Sequence, residues 1–159
     1  MPAKHFARGG PSGPPRAPSA PHGARNPGYA LARRSSRTSP EATIEAKALA
    51  AAIAQIAAER KAEDVEVIEV AERLKVADYF VVATGNSRAH VKALYNELHA
   101  RLKAAGVQHL PAEGVELGWW IVLDFGDVVV HLLQRDARSY YDIERLYGDC
   151  PRLDWRAAS

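Results

Sequence analysis

A chain of 159 residues suits one domain of ordinary size with a single core. Its one cysteine, Cys150, excludes an intramolecular disulfide, a CxxC pair and a cysteine-based zinc cluster, and its apolar runs stop well short of the ~18 residues that cross a bilayer, which predicts a soluble protein in a reducing compartment. The net charge of +2 hides a division: residues 1–40 carry seven basic groups and no acid, leaving a body with 14 basic and 19 acidic groups, a net −5 that repels a phosphate backbone and suits a basic protein surface.

Eight of the ten prolines fall in residues 1–40, among Gly, Ser, Ala and Arg, too few large apolar groups to offset the entropy of ordering. We expect a disordered extension there, the one part suited to touching nucleic acid. Its Arg- and Ser-rich, acid-free makeup also resembles an organellar transit peptide. The prolines oppose the amphipathic helix of such peptides, so a bacterial cytoplasmic protein is the preferred expectation and an organellar matrix the alternative.

The body is expected over residues 41–150, with 151–159 as a tail. In "SPEATIEAKALAAAIAQIAAER", Ser39 is placed to cap a helix and Pro40 to begin it, because its missing amide proton would go unbonded there. Ile44, Ala48, Leu49, Ala52, Ile53, Ile56 and Ala57 recur at helical spacing and predict the buried face, with the helix ending near Arg60. "VEVIEV" and "DYFVVATG" read as strands. Asn86 or Ser87 then caps a helix with an apolar stripe of Val91, Leu94, Leu98 and Leu102, closed by Gly106. "VQHLP" reads as a short strand and "AEGVELG" as a loop. "WWIVLDFGDVVVHLL" reads as a hairpin, and "SYYDIERLYG" as a last helix capped by Ser139 and stopped by Gly148. The order αββαβββα predicts an α+β fold: a mixed sheet of about five strands with flanking helices.

Placing Phe125 and Gly126 in a two-residue turn makes Asp124 and Asp127 the closing pair, with Val122 facing Val129 and Trp120 facing His131. Alternation puts Trp119, Ile121, Leu123, Val128, Val130 and Leu132 on one face, expected as core. The opposite face holds Trp120, Val122, Asp124, Asp127, Val129 and His131. Geometry leaves two readings of it open: an exposed protein-docking patch of aromatic, aliphatic and acidic groups, or a face covered by a helix with the aspartates at a turn.

No enzyme chemistry gathers support. The "DFG" at 124–126 lacks every other element of a kinase. Two like charges at a turn lack the enclosure that a metal site or an acid/base pair requires. "TGNSR" is similar to the phosphate-holding turn of nucleotidyltransferases, but the following "VQHLP" has no carboxylate for magnesium, so Ser87 is better read as a helix cap. His90, His99 and His109 are too scattered to be ligands, and Cys150 shows no sign of activation. No metal or cofactor is expected.

The ordered set "DYFVVATGNSRAHVKAL", "AEG", "WIVLDFGDVVVHLL" and "YYDIERLYGD" strongly resembles the ribosomal silencing factor family, also called Iojap-related, over residues 43–150. The resemblance implies a nucleotidyltransferase-like fold without the catalytic carboxylates, and no enzymatic activity. It implies binding to the large ribosomal subunit through its ribosomal protein uL-fourteen, which blocks joining of the small subunit and represses translation when nutrients are scarce. The family's strand pattern falls on Trp120, Ile121, Leu123, Asp124, Gly126, Asp127, Val128, Val129, Val130 and His131, and its Asp-Tyr-Phe element on Asp78, Tyr79 and Phe80. Trp119, Leu133 and Tyr147 depart from the usual residues. The expected partner-binding set is Trp120, Val122, Asp124, Asp127, Val129, His131 and Tyr79, with the aspartates meeting basic side chains. An RNA-binding large-subunit assembly factor and, further off, a residual nucleotidyltransferase are the alternatives. A homodimer of the free protein, paired through a sheet edge or the apolar face, is a further expectation.

Overall fold

The structure, a computed structural model, describes residues 40–75 and 77–157, so the expected disordered arm and the Ser39 cap lie outside the described residues. The elements are α1 (Pro40–Glu59), β1 (Glu63–Glu69), β2 (Tyr79–Gly85), α2 (Arg88–Ala104), β3 (Trp120–Asp124), β4 (Val128–Gln134), α3 (Arg135–Tyr141), α4 (Ile143–Leu146) and β5 (Arg152–Leu153). The five strands form one mixed sheet in the order β3-β4-β2-β1-β5, with β2 and β4 parallel and the other pairs antiparallel. The expected α+β class with about five strands and flanking helices is what the chain adopts.

Helices α1 and α2 pack on one side of the sheet. Between them and the sheet lie Ile53, Val67, Val81, Leu94, Leu98, Ile121, Leu123, Val130 and Leu132. The α2 stripe is buried as expected, and Ser87 is its N-cap, its hydroxyl accepting from the His90 amide at 3.0 Å. The α1 face is the expected one only in part: Ile53, Ile56 and Ala57 are buried, but Ala48 is exposed, and Ala46, Ala50, Ala51 and Ala54 are buried in addition. Alanine occurs all round this helix, so spacing alone sets its phase poorly. At its C-terminus Lys61 takes a left-handed φ of 65°, and the Ala62 amide donates back to the Ala57 carbonyl at 3.0 Å, a Schellman-type stop made without glycine.

Three expected elements differ. "VQHLP" is no strand; residues 110–113 run along the outer edge of β3, where the Leu110 amide donates to the Asp124 carbonyl and Glu113 exchanges two backbone bonds with Val122. Ser139 does not cap the last helix. It lies inside α3, which follows β4 without a loop, and Asp142 with a left-handed φ of 52° separates α3 from the one-turn α4. Residues 151–157, expected as a tail, add β5 to the free edge of β1 and bury Trp155, whose indole N–H donates to the Val65 carbonyl at 3.1 Å. The outer edge of β3 is thus met by residues 110–113, and the two-residue β5 forms the edge on the other side.

The hairpin forms two residues away from its expected register. Val122 pairs with His131 and Trp120 with Leu133, and the Phe125 amide donates to the Val128 carbonyl, so the turn is Gly126–Asp127. Gly126, with φ 104°, occupies the first central position, where a hairpin turn needs a positive φ, and the Asp124 carboxylate accepts from its amide at 2.9 Å. A shift of two keeps the side chains of β3 and β4 on their expected faces, but Trp119, expected in the larger core, precedes β3 and packs against the second core on the other side.

Candidate functional site

The face carrying Val122, Val129 and His131 is covered. Helix α3 turns back over it directly from β4. Ala137 and Ile143, with Leu74 from the β1–β2 connection, pack onto Phe80, Val82, Val122, Val129 and Leu133 to make a second, thinner core. Val122, Asp124, Val129 and His131 are each less than a tenth exposed. Of the two readings left open by the sequence, the structure adopts the covered face, so these four do not offer themselves to a partner. Asp124 serves the turn instead. Tyr79 is also buried and lies on the other side of the sheet, in the larger core with Val81, where burial raises its phenol above the usual range. Its side chain is set apart from the second-face residues, although its amide donates to the Asp127 carbonyl at 3.1 Å. Only Trp120 and Asp127 of the expected set are partly exposed.

What reaches the surface is the rim of this second core. Trp120 begins β3 and its indole lies 4.8 Å from the Tyr141 ring, centroid to centroid; Tyr141 in turn meets Tyr140 edge-on at 4.9 Å. Tyr140 is 64% exposed, Trp119 and Trp120 are half-buried at the same end of β3, and the exposed Asp136 lies one helical turn before Tyr140. The result is an aromatic rim edged by acid. Tyr140 and Tyr141 were legible as an aromatic pair, but their position was hidden by assigning the helix start to Ser139, which placed them at its first turn rather than its last.

Behind the rim, Trp120 donates from Nε1 to His131 Nδ1 at 3.1 Å. Because Trp120 pairs with Leu133, His131 is its diagonal neighbour on the same face. An accepting Nδ1 puts the proton of the neutral ring on Nε2. Burial lowers the His131 pKa to about 4, so the ring is neutral at physiological pH.

The other chemistry-bearing residues are engaged structurally. Ser87 caps α2, as expected. The His90 ring accepts from the Asn86 amide at Nδ1 and meets the Arg60 carbonyl at Nε2, tying α2 to the end of α1. His99 and His109, ten residues apart, come together with Nδ1 of His99 2.8 Å from Nε2 of His109, packed between Tyr95 and Phe125. Arg138 is buried and clamps β2 to the start of β1. Among the described residues no group of three or more His, Cys, Asp or Glu is arranged to hold a metal ion, and no helix is long and apolar enough to cross a membrane.

Comparison with known proteins agrees with this architecture. The chain is 38% identical over 96 residues to the ribosomal silencing factor of Bacillus subtilis, an alignment covering 60% of this chain and 81% of that one. A mouse protein named for mitochondrial assembly of the ribosomal large subunit is 30% identical over 92 residues, covering 56% of this chain and 40% of that one. A crystal structure of a Chromobacterium violaceum protein superposes with a TM-score of 0.56 at 40% identity, covering 60% of this chain and 83% of that one. The family model described as "Ribosomal silencing factor during starvation" matches residues 43–159, and the chain belongs to that family.

Proposed function

We propose that this protein is a non-enzymatic translation repressor of the bacterial cytoplasm, which docks its aromatic rim on ribosomal protein uL-fourteen of the large subunit and thereby keeps the small subunit from joining. The carrying observation is the Trp120–Tyr141–Tyr140 rim beside Asp136 on a body of net negative charge. Half-exposed aromatic groups ordered by their neighbours supply the desolvated contact that dominates protein interfaces, and the net negative charge of the body favours a basic partner over bare RNA. The buried aspartate expected as a contact is replaced in this reading by Asp136 and by the partly exposed Asp127.

The test is sedimentation with separated ribosomal subunits, followed by a subunit-joining assay. The full chain is expected to travel with the large subunit alone and to reduce joining in proportion to occupancy. Trp120→Ala weakens that association by about 2 kcal/mol if the residue is a hot spot. Binding to neither subunit, or joining that proceeds at full occupancy, overturns the proposal.

A second reading is an assembly factor for the large subunit, which the mouse relative's name favours. Accumulation of incomplete large subunits on removal of the protein, with joining of mature subunits unaffected by its addition, supports that reading instead.

A further inference from the structure

We infer that His131 is a positioning residue for docking: it makes no contact with the partner but holds the Trp120 indole in its binding orientation. The inference rests on the docking reading above and adds how that site is organised. His131 is buried, with the Phe80 ring set edge-on at 4.5 Å, and its Nδ1 is the acceptor for the Trp120 indole N–H. Trp120 is held on one side by this bond and on the other by Tyr141, so a line of contacts runs from the rigid second core to the exposed Tyr140.

The physical consequence is preorganisation. A tryptophan at the start of an edge strand has two side-chain torsions to lose on binding, and ordering a free side chain subtracts from affinity. A buried acceptor at a fixed point removes that loss in advance. It also imposes a polarity: the acceptor must be neutral at Nδ1, because an imidazolium presents an N–H at both ring nitrogens and opposes the indole donor. An aliphatic residue of similar volume fills the space but leaves the indole N–H without this partner. An asparagine places its amide oxygen close to where Nδ1 lies and preserves the bond.

The experiment measures affinity of the full chain for isolated large subunits in wild type, His131→Leu and His131→Asn, with hydrogen exchange of the Trp120 indole N–H followed by NMR. His131→Leu is expected to bind five- to ten-fold more weakly, the worth of about one hydrogen bond, with faster indole exchange. His131→Asn stays within about two-fold of wild type with the slow exchange retained. If His131→Leu does not fold, Trp120→Phe removes the donor from the other side and is expected to bind at least as weakly. Wild-type affinity in either His131→Leu or Trp120→Phe overturns the inference while the docking reading stands, and equal losses in His131→Leu and His131→Asn overturn it as well. A wild-type chain that binds no large subunit overturns the docking reading and this inference together.

Discussion

Arg138 of α3 donates from Nη1 to the Thr84 hydroxyl at 2.8 Å and to the Asp64 carbonyl at 2.5 Å, joining the helix that covers the second core to the ends of β2 and β1. Its other nitrogen lies 3.6 Å from Glu66. Arg138→Ala leaves the buried Thr84 hydroxyl and the Asp64 carbonyl without this donor and is expected to lower unfolding stability by about 2 kcal/mol, read as a lower urea midpoint. Arg138→Lys restores one contact at most, since an ammonium lacks the planar fork, and falls between the two.

Acid is expected to destabilise the fold through His131. Its pKa is lowered from 6.5 to about 4 in the folded protein by burial, so between these values the unfolded chain binds the extra proton and the folded one does not. The stabilisation is complete above pH 6.5, declines as pH falls, and is exhausted near pH 4. Its full size is on the order of 3 kcal/mol. Unfolding of wild type and His131→Asn measured in parallel from pH 7 to pH 4 isolates this contribution, because other groups titrate in both; a constant difference between the two curves refutes it.

Two glycines with similar backbone conformations should behave differently when replaced. Gly114 has φ +82°, and an added Cβ would sit 2.1 Å from the Trp120 carbonyl oxygen; Gly126 has φ +104° with open space around it. Gly126→Ala is expected to cost only the conformational penalty, about 1–2 kcal/mol. Gly114→Ala adds a clash with backbone, costs more, and lifts residues 110–113 from β3. Faster exchange of the Val122 amide, which donates to the Glu113 carbonyl, is the local signature.

The C-terminal segment is expected to behave as part of the domain. Trp155 is buried beside α1, with Gln55 donating to its carbonyl oxygen and its own indole bonded to Val65. Trp155→Ala should cost about 3–5 kcal/mol, the range for deleting a large buried aromatic. A loss below 1 kcal/mol in thermal or urea unfolding contradicts the packing described.

Tyr140 separates binding from folding. Because its ring is mostly in solvent, Tyr140→Ala should leave the melting temperature nearly unchanged while weakening association with large subunits. Asp136→Lys is expected to slow that association and reverse part of its salt dependence. Asp124→Lys is no test of docking, since it puts an ammonium into a buried turn and unfolds the hairpin.

Several features were legible in the sequence because they depend on neighbours a few residues away. The α2 stripe and its Ser87 cap follow from helical spacing and one side chain bonding its own backbone, and the two faces of β3 and β4 follow from strict alternation. Parity even survived the register error at Gly126, because a slip of two residues leaves each side chain where it was. The α1 face was less legible, its alanines carrying little phase.

Whether the second face met water or protein was a different kind of question. Its apolar and acidic residues suit either outcome, and the answer depended on α3 folding back from β4 and on Arg138 reaching Thr84, 54 residues earlier. The joining of β5 to β1 was hidden for the same reason. Local bonding and periodicity are written in short stretches of chain, so sequence determined the elements and their faces. Burial depends on which distant segment lies across a face, and that was decided only by the tertiary fold.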